Sequence, residues 1–163
     1  MYEAADIDIK ECDIEVDFSA DQGVGIGSFE HSVNVQMRNS LIKCTCAGKR
    51  TASLGSIDGD SVAIKGKDMG LIINQRADSS VGLGTMKGKT SIDFMNSFIK
   101  INQDGGKALC YGGFSENTSA CFTDCDVNVE LKTDLDKLSY APAQNIVFKN
   151  ARNKVILNGK AIK

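Results

Sequence analysis

Apolar and polar residues alternate one by one, with period two, in many stretches of this chain. Ile7-Asp-Ile-Lys-Glu-Cys-Asp-Ile-Glu-Val-Asp-Phe18 holds the pattern with one slip near Glu11, which predicts a bulged strand or two short ones, because successive strand side chains point to opposite faces. Val62-Ala-Ile-Lys65, Leu71-Ile-Ile-Asn74, Ser91-Ile-Asp-Phe94, Val127-Asn-Val-Glu-Leu131 and Ile146-Val-Phe148 read the same way. A helical period is hard to find; the one candidate is a short stretch from Thr133 to Leu138. Sixteen glycines and a single proline, Pro142, place the turns on Gly and Asn chemistry. Asp58-Gly59, Asp104-Gly105 and Asn158-Gly159 carry the strongest hairpin signals, since both central residues of a type I′ turn need positive φ. The expected fold is all-β: one compact domain over residues 1–163, made of short strands and hairpins.

The chain also repeats itself. Val24-Gly-Ile-Gly-Ser28 returns as Val81-Gly-Leu-Gly-Thr85, and Val35-Gln-Met-Arg-Asn-Ser-Leu-Ile-Lys43 as Ile92-Asp-Phe-Met-Asn-Ser-Phe-Ile-Lys100, at an offset of 57 residues. Ile146-Val-Phe-Lys-Asn-Ala151 is a fainter third copy. The unit is a strand, an Asn-centred turn and a second strand. Asn39, Asn96 and Asn150 sit at the turn because Asn tolerates the left-handed region and bonds nearby backbone. Three units, about 24–57, 81–114 and 143–163, predict pseudo-threefold symmetry in a compact body, because solenoids usually show more copies of shorter period.

Composition narrows the function without naming it. Aromatics are 6% and charged residues 25%, so Val, Ile and Leu supply the core of a soluble fold. A formal charge of -2 with Lys and Asp/Glu interspersed argues against nucleic acid as a partner. No stretch approaches the roughly 20 apolar residues of a membrane span. The start lacks a signal-peptide pattern, so synthesis in the cytoplasm is expected, with export by a secretion machine compatible with it.

Six cysteines hold the sharpest local chemistry. Cys44-Thr-Cys46 and Cys121-Phe-Thr-Asp-Cys125 are two close pairs that could supply four thiolates to a tetrahedral zinc ion; disulfides and buried free thiols are the other readings. His31 is the single histidine and falls where the second copy has Gly88, a poor place for a catalytic base. Gly25-x-Gly27 and Gly82-x-Gly84 lack the helix and the Lys-Ser/Thr of a phosphate loop, so they read as turns or bulges. Asp58-Gly-Asp60 is explained by a hairpin, and the acidic run of Asp124, Asp126, Glu130, Asp134 and Asp136 by a solvated face. No catalytic set is expected.

Asn39-Ser-Leu-Ile-Lys-Cys-Thr-Cys-Ala-Gly-Lys-Arg-Thr-Ala-Ser-Leu54 with Val62-Ala-Ile-Lys-Gly-Lys-Asp-Met69, then Cys110-Tyr-Gly-Gly-Phe114 and Val155-Ile-Leu-Asn-Gly-Lys-Ala-Ile162, together resemble PAAR-like spike-tip proteins of contractile injection systems. The resemblance covers about half the chain. It implies a small β cone that caps a trimeric spike protein and sometimes carries an effector. Asp68 and Ala161 stand where that family has proline after its Gly-Lys turns, and one histidine replaces several, so a metal would fall to Cys44, Cys46, Cys121 and Cys125. The resulting expectation is a non-catalytic spike-tip component. The alternative is a secreted or surface domain, held by disulfides, that binds a ligand or host factor.

Overall fold

The computed structural model describes residues 4–112, 118–134 and 144–162, and every regular element among them is a β-strand. None is a helix long and apolar enough to cross a membrane. Two parallel sheets run side by side. The first contains β1 (Ala5–Lys10), β3 (Val33–Arg38), β5 (Ser61–Lys67), β7 (Lys89–Met95), β10 (Thr118–Thr123) and β12 (Gln144–Lys149), in that order. The second contains β2 (Asp13–Ser28), β4 (Leu41–Ser56), β6 (Gly70–Thr85), β8 (Phe98–Asp104), β11 (Asp126–Lys132) and β13 (Arg152–Leu157). β9 (Lys107–Tyr111) lies beside the far half of β6, and β14 (Lys160–Ala161) folds back antiparallel on β13.

The chain therefore winds as a β-solenoid of six coils. Ala5 lies beside Val33, then Val62, Thr90, Thr118 and Gln144, so a coil takes 28 or 29 residues and the last takes 26. Period-2 alternation puts one face of each strand inward, and parallel stacking places like on like. Ile7, Val35, Ile64, Ile92, Ala120 and Ile146 form one inward column. Cys44, Ile73, Ile101, Val129 and Val155 form another. These columns make one continuous core, joined by Leu54, Leu83 and Tyr111 from the far half of the second sheet. Ala52, Ile57, Val81 and Met86 form a smaller cluster, with Val24 packed on it.

Between the sheets the chain turns through one left-handed residue per coil: Glu11 (φ 52°), Asn39 (48°), Asp68 (55°), Asn96 (48°), Asp124 (53°) and Asn150 (48°). Acid alternates with Asn, and the next residue alternates too: Cys12, Ser40, Met69, Ser97, Cys125, Ala151. That alternation explains the offset of 57. Neighbouring coils differ at the turn, so the sequence matches itself best two coils away. The slip near Glu11 is the same turn, and it separates β1 from β2. The matching segments are thus alternate coils stacked along one axis, and no threefold axis relates them.

The hairpin signals resolve in three ways. Asn158 (φ 49°) and Gly159 (φ 78°) form the expected tight turn, between β13 and β14. Asp58-Gly59 instead links β4 to β5, which belong to different sheets, and Asp104-Gly105 interrupts the fourth coil between β8 and β9, which both pair with β6. A side chain at Gly105 would fall on the Ala77 carbonyl oxygen, and one at Gly59 on that of His31, so these glycines are required by close backbone approach between coils. The stretch proposed as helical from Thr133 to Leu138 lies mostly outside the described residues, as do Pro142 and Asp136.

Candidate interaction surfaces

Cys44 and Cys46 both point inward from β4, with their sulfurs 3.3 Å apart and both fully buried. The hydrogen bond from Cys46 holds the Cys44 thiol below its usual range, and the same bond, with burial, pushes Cys46 up. Ser53 completes the group, its hydroxyl 3.7 Å from the Cys46 sulfur. Cys121 and Cys125 do not join them. Cys121 lies on β10 in the other sheet, 3.7 Å from the Thr123 hydroxyl, and Cys125 is at the turn before β11, donating to the Thr123 carbonyl at 3.2 Å. Burial raises the Cys125 thiol. The two pairs sit in the second and fifth coils, three inter-strand steps or roughly 14 Å apart, whereas zinc holds sulfur at about 2.3 Å. Cys44, Cys46, Cys121 and Cys125 therefore do not come together as the one tetrahedral set expected from the sequence, and no cluster of three or more His, Cys, Asp or Glu with metal-ligand geometry is found among the described residues. All six cysteines are free thiols.

The turn residues do converge, as a ladder. The Asn96 Nδ2 donates to Asp68 Oδ1 at 2.5 Å and the Asn150 Nδ2 to Asp124 Oδ1 at 2.6 Å, so each amide bridges to the acid one coil before it. Beneath them Ser97 Oγ donates to the Met95 carbonyl (2.8 Å) and accepts the Met69 amide (3.0 Å); Ser40 does the same with Arg38 and Cys12. Tight turns that would otherwise leave amides unpaired are closed by one small hydroxyl.

The outer faces carry rungs of polar side chains over shallow depressions. On the first sheet, Lys10, Arg38 and Lys67 stand in one column beside Asp8, Gln36, Lys65 and Asp93 in the next, around a hollow of about 340 Å³. The three residues of the first column are all basic, whereas the second mixes acid, amide and Lys65. On the second sheet, Asn102 donates to Asn74 at 2.9 Å within a wider depression that also takes in Lys100 and Glu130. Where β4 leads into β5, Asp58 accepts from Arg50 (2.8 Å) and Lys87 (3.0 Å). Burial alone would push its carboxyl up, but these two cations hold it below the usual range. His31 is exposed on a connection, and Asp124, Asp126, Glu130 and Asp134 fall at a turn, on β11 and beyond it without forming one cleft.

The stack's first rung is the feature that the sequence did not announce. β1 and β2 are the terminal strands of their sheets, and β2 runs for sixteen residues. Eight carboxylates between Ala5 and Ser32, six of them on these two strands, face one Lys10. A count of charge by segment reveals this; a count over the whole chain conceals it. No family model, no curated protein and no solved structure matches the chain.

Proposed function

We propose that the chain is a non-catalytic structural and interaction protein: a short β-rod built into a protein assembly through its terminal rungs. The observation that carries this reading is the sixteen-residue parallel edge of β2, beside β1, which forms the last strand of its sheet and carries a row of backbone donors and acceptors. Such an edge is a template for an added strand. The depressions on the faces are shallow and lined by rungs of charged and amide side chains, which suits a surface for proteins better than a pocket for a small molecule.

A spike-tip component on a trimeric spike, with or without an effector, is the specific form that the PAAR-like resemblance suggests. Its support is the motif resemblance alone, because coils stacked by translation do not offer three equivalent edges to a trimer. The rod that joins an assembly by edge pairing is the reading adopted. A photo-cross-linking residue placed at Glu15 on β2, or at Glu130 on β11, one coil in from the opposite end of the stack, tests it in the native host. Protein adducts from position 15 and few from position 130 are expected. Adducts confined to position 130 would refute it, and an adduct of position 15 with a trimeric spike protein would select the tip.

A further inference from the structure

The two ends of the solenoid are oppositely charged. Against the eight carboxylates of the first coil, residues 144–162 carry four Lys or Arg and no carboxylate. β12 ends the first sheet, and β14 covers β13 only near Val155 to Leu157, leaving Arg152 to Lys154 at the edge. We propose that the basic last coil of one copy docks on the acidic first coil of a second copy, head to tail, so that the solenoid continues through the junction.

The register supports this. Extending the observed columns by one rung sets Ile146 and Phe148 against Ile7 and Ile9 of the next copy, apolar on apolar. On the outside it sets Arg152 against Asp13 and Lys154 against Glu15 of the next copy. Asn34 already donates to Asp6 at 2.8 Å, and Asn145 occupies the same column at the far end, so Asp6 of the next copy gains an equivalent donor. Because the coils number six, an even count, the acid-Asn alternation of the turns runs on unbroken, Glu11 of the next copy following Asn150. Lys149 against Lys10 is the one like-charged pair. Head-to-head and tail-to-tail stacking instead oppose charges of one sign along the rung, which disfavours both. A head-to-tail contact does not close, so it builds an open stack. The β14 hairpin, lying over the end of β13, limits its growth.

Sedimentation velocity of the full chain over a wide concentration range, at low and high salt, tests this. The mass is expected to grow with concentration at low salt and fall back at high salt. Arg152→Glu with Lys154→Glu, and separately Asp13→Lys with Glu15→Lys, are each expected to weaken self-association about tenfold or more. An equimolar mixture of the two variants restores it, because each then meets a complementary end. Removing residues 158–163 strengthens it. Circular dichroism on each variant confirms the fold. A monomer under all conditions, truncation included, or association indifferent to both reversals, overturns the proposal. The inference rests on reading the first rung as a docking edge, and a monomer that still cross-links a different protein through position 15 would overturn head-to-tail pairing while leaving that reading standing.

Discussion

Gly66 offers the sharpest test of how the core is packed. It lies in the inward column Ile9, Met37, Gly66, Phe94, Phe122, Phe148, in which the last three rings stack at centroid separations of 6.1 and 5.1 Å with planes 12° and 15° apart. A methyl group at position 66 would stand 2.5 Å from Phe94 Cδ1 and closer still to Cε1. The glycine thus vacates the space that the ring fills. Elsewhere in a strand, Gly→Ala stabilises by about 0.5–1 kcal/mol through the unfolded chain. Here overpacking costs about 1–3 kcal/mol, because Phe94 is fully buried and backed by Phe122. The net expectation for Gly66→Ala is a loss of about 1–2 kcal/mol, a drop in Tm of roughly 2–8 °C for a chain of this size. Urea unfolding of Gly66→Ala, Phe94→Leu and the double variant closes the cycle. The double variant should be more stable than the two single losses added together, by about 1 kcal/mol, since the smaller side chain admits the methyl group. A Gly66→Ala variant as stable as the parent, or losses that simply add, would refute the argument.

Two further outcomes are expected. Asn96→Ala should lose about 1–2 kcal/mol in denaturant melts, from left-handed strain and the lost bond to Asp68, with Asn96→Gly in between because glycine restores the conformation but not the bond; an alanine variant at least as stable as the glycine variant contradicts this. Asp58→Asn should cost about 0.5–1 kcal/mol at neutral pH and low salt. The Asp58 carboxyl is depressed in the fold, so its contribution is present above the ordinary carboxylate value near ~4 and fades as pH falls through the lower folded value. Thermal melts of both proteins should therefore converge in acid, and a gap that persists there would show that the ion pairs with Arg50 and Lys87 are not its source.

Sequence determined the kind of local structure. Alternation at Val62–Lys65, Leu71–Asn74, Ser91–Phe94 and Val127–Leu131 gave strands where the structure has them, and Asn39, Asn96 and Asn150 all adopt the left-handed turn their chemistry suggested. These are short-range properties, fixed by sterics within a few residues. Tertiary structure alone decided which strands pair. Every ladder but one is parallel and joins residues 26 to 29 apart, and alternation within a strand carries no mark of its neighbour. The half-period copy was present, as Ala52-Ser-Leu-Gly-Ser56 between Val24-Gly-Ile-Gly-Ser28 and Val81-Gly-Leu-Gly-Thr85, but the acid-Asn exchange at Glu11, Asp68 and Asp124 masked it. For the same reason the cysteine pairs, close in sequence, landed on rungs too distant to share an ion. The charges that look interspersed along the chain became columns on the faces and opposite poles at the ends, because winding the chain into coils converts position in sequence into height along the stack.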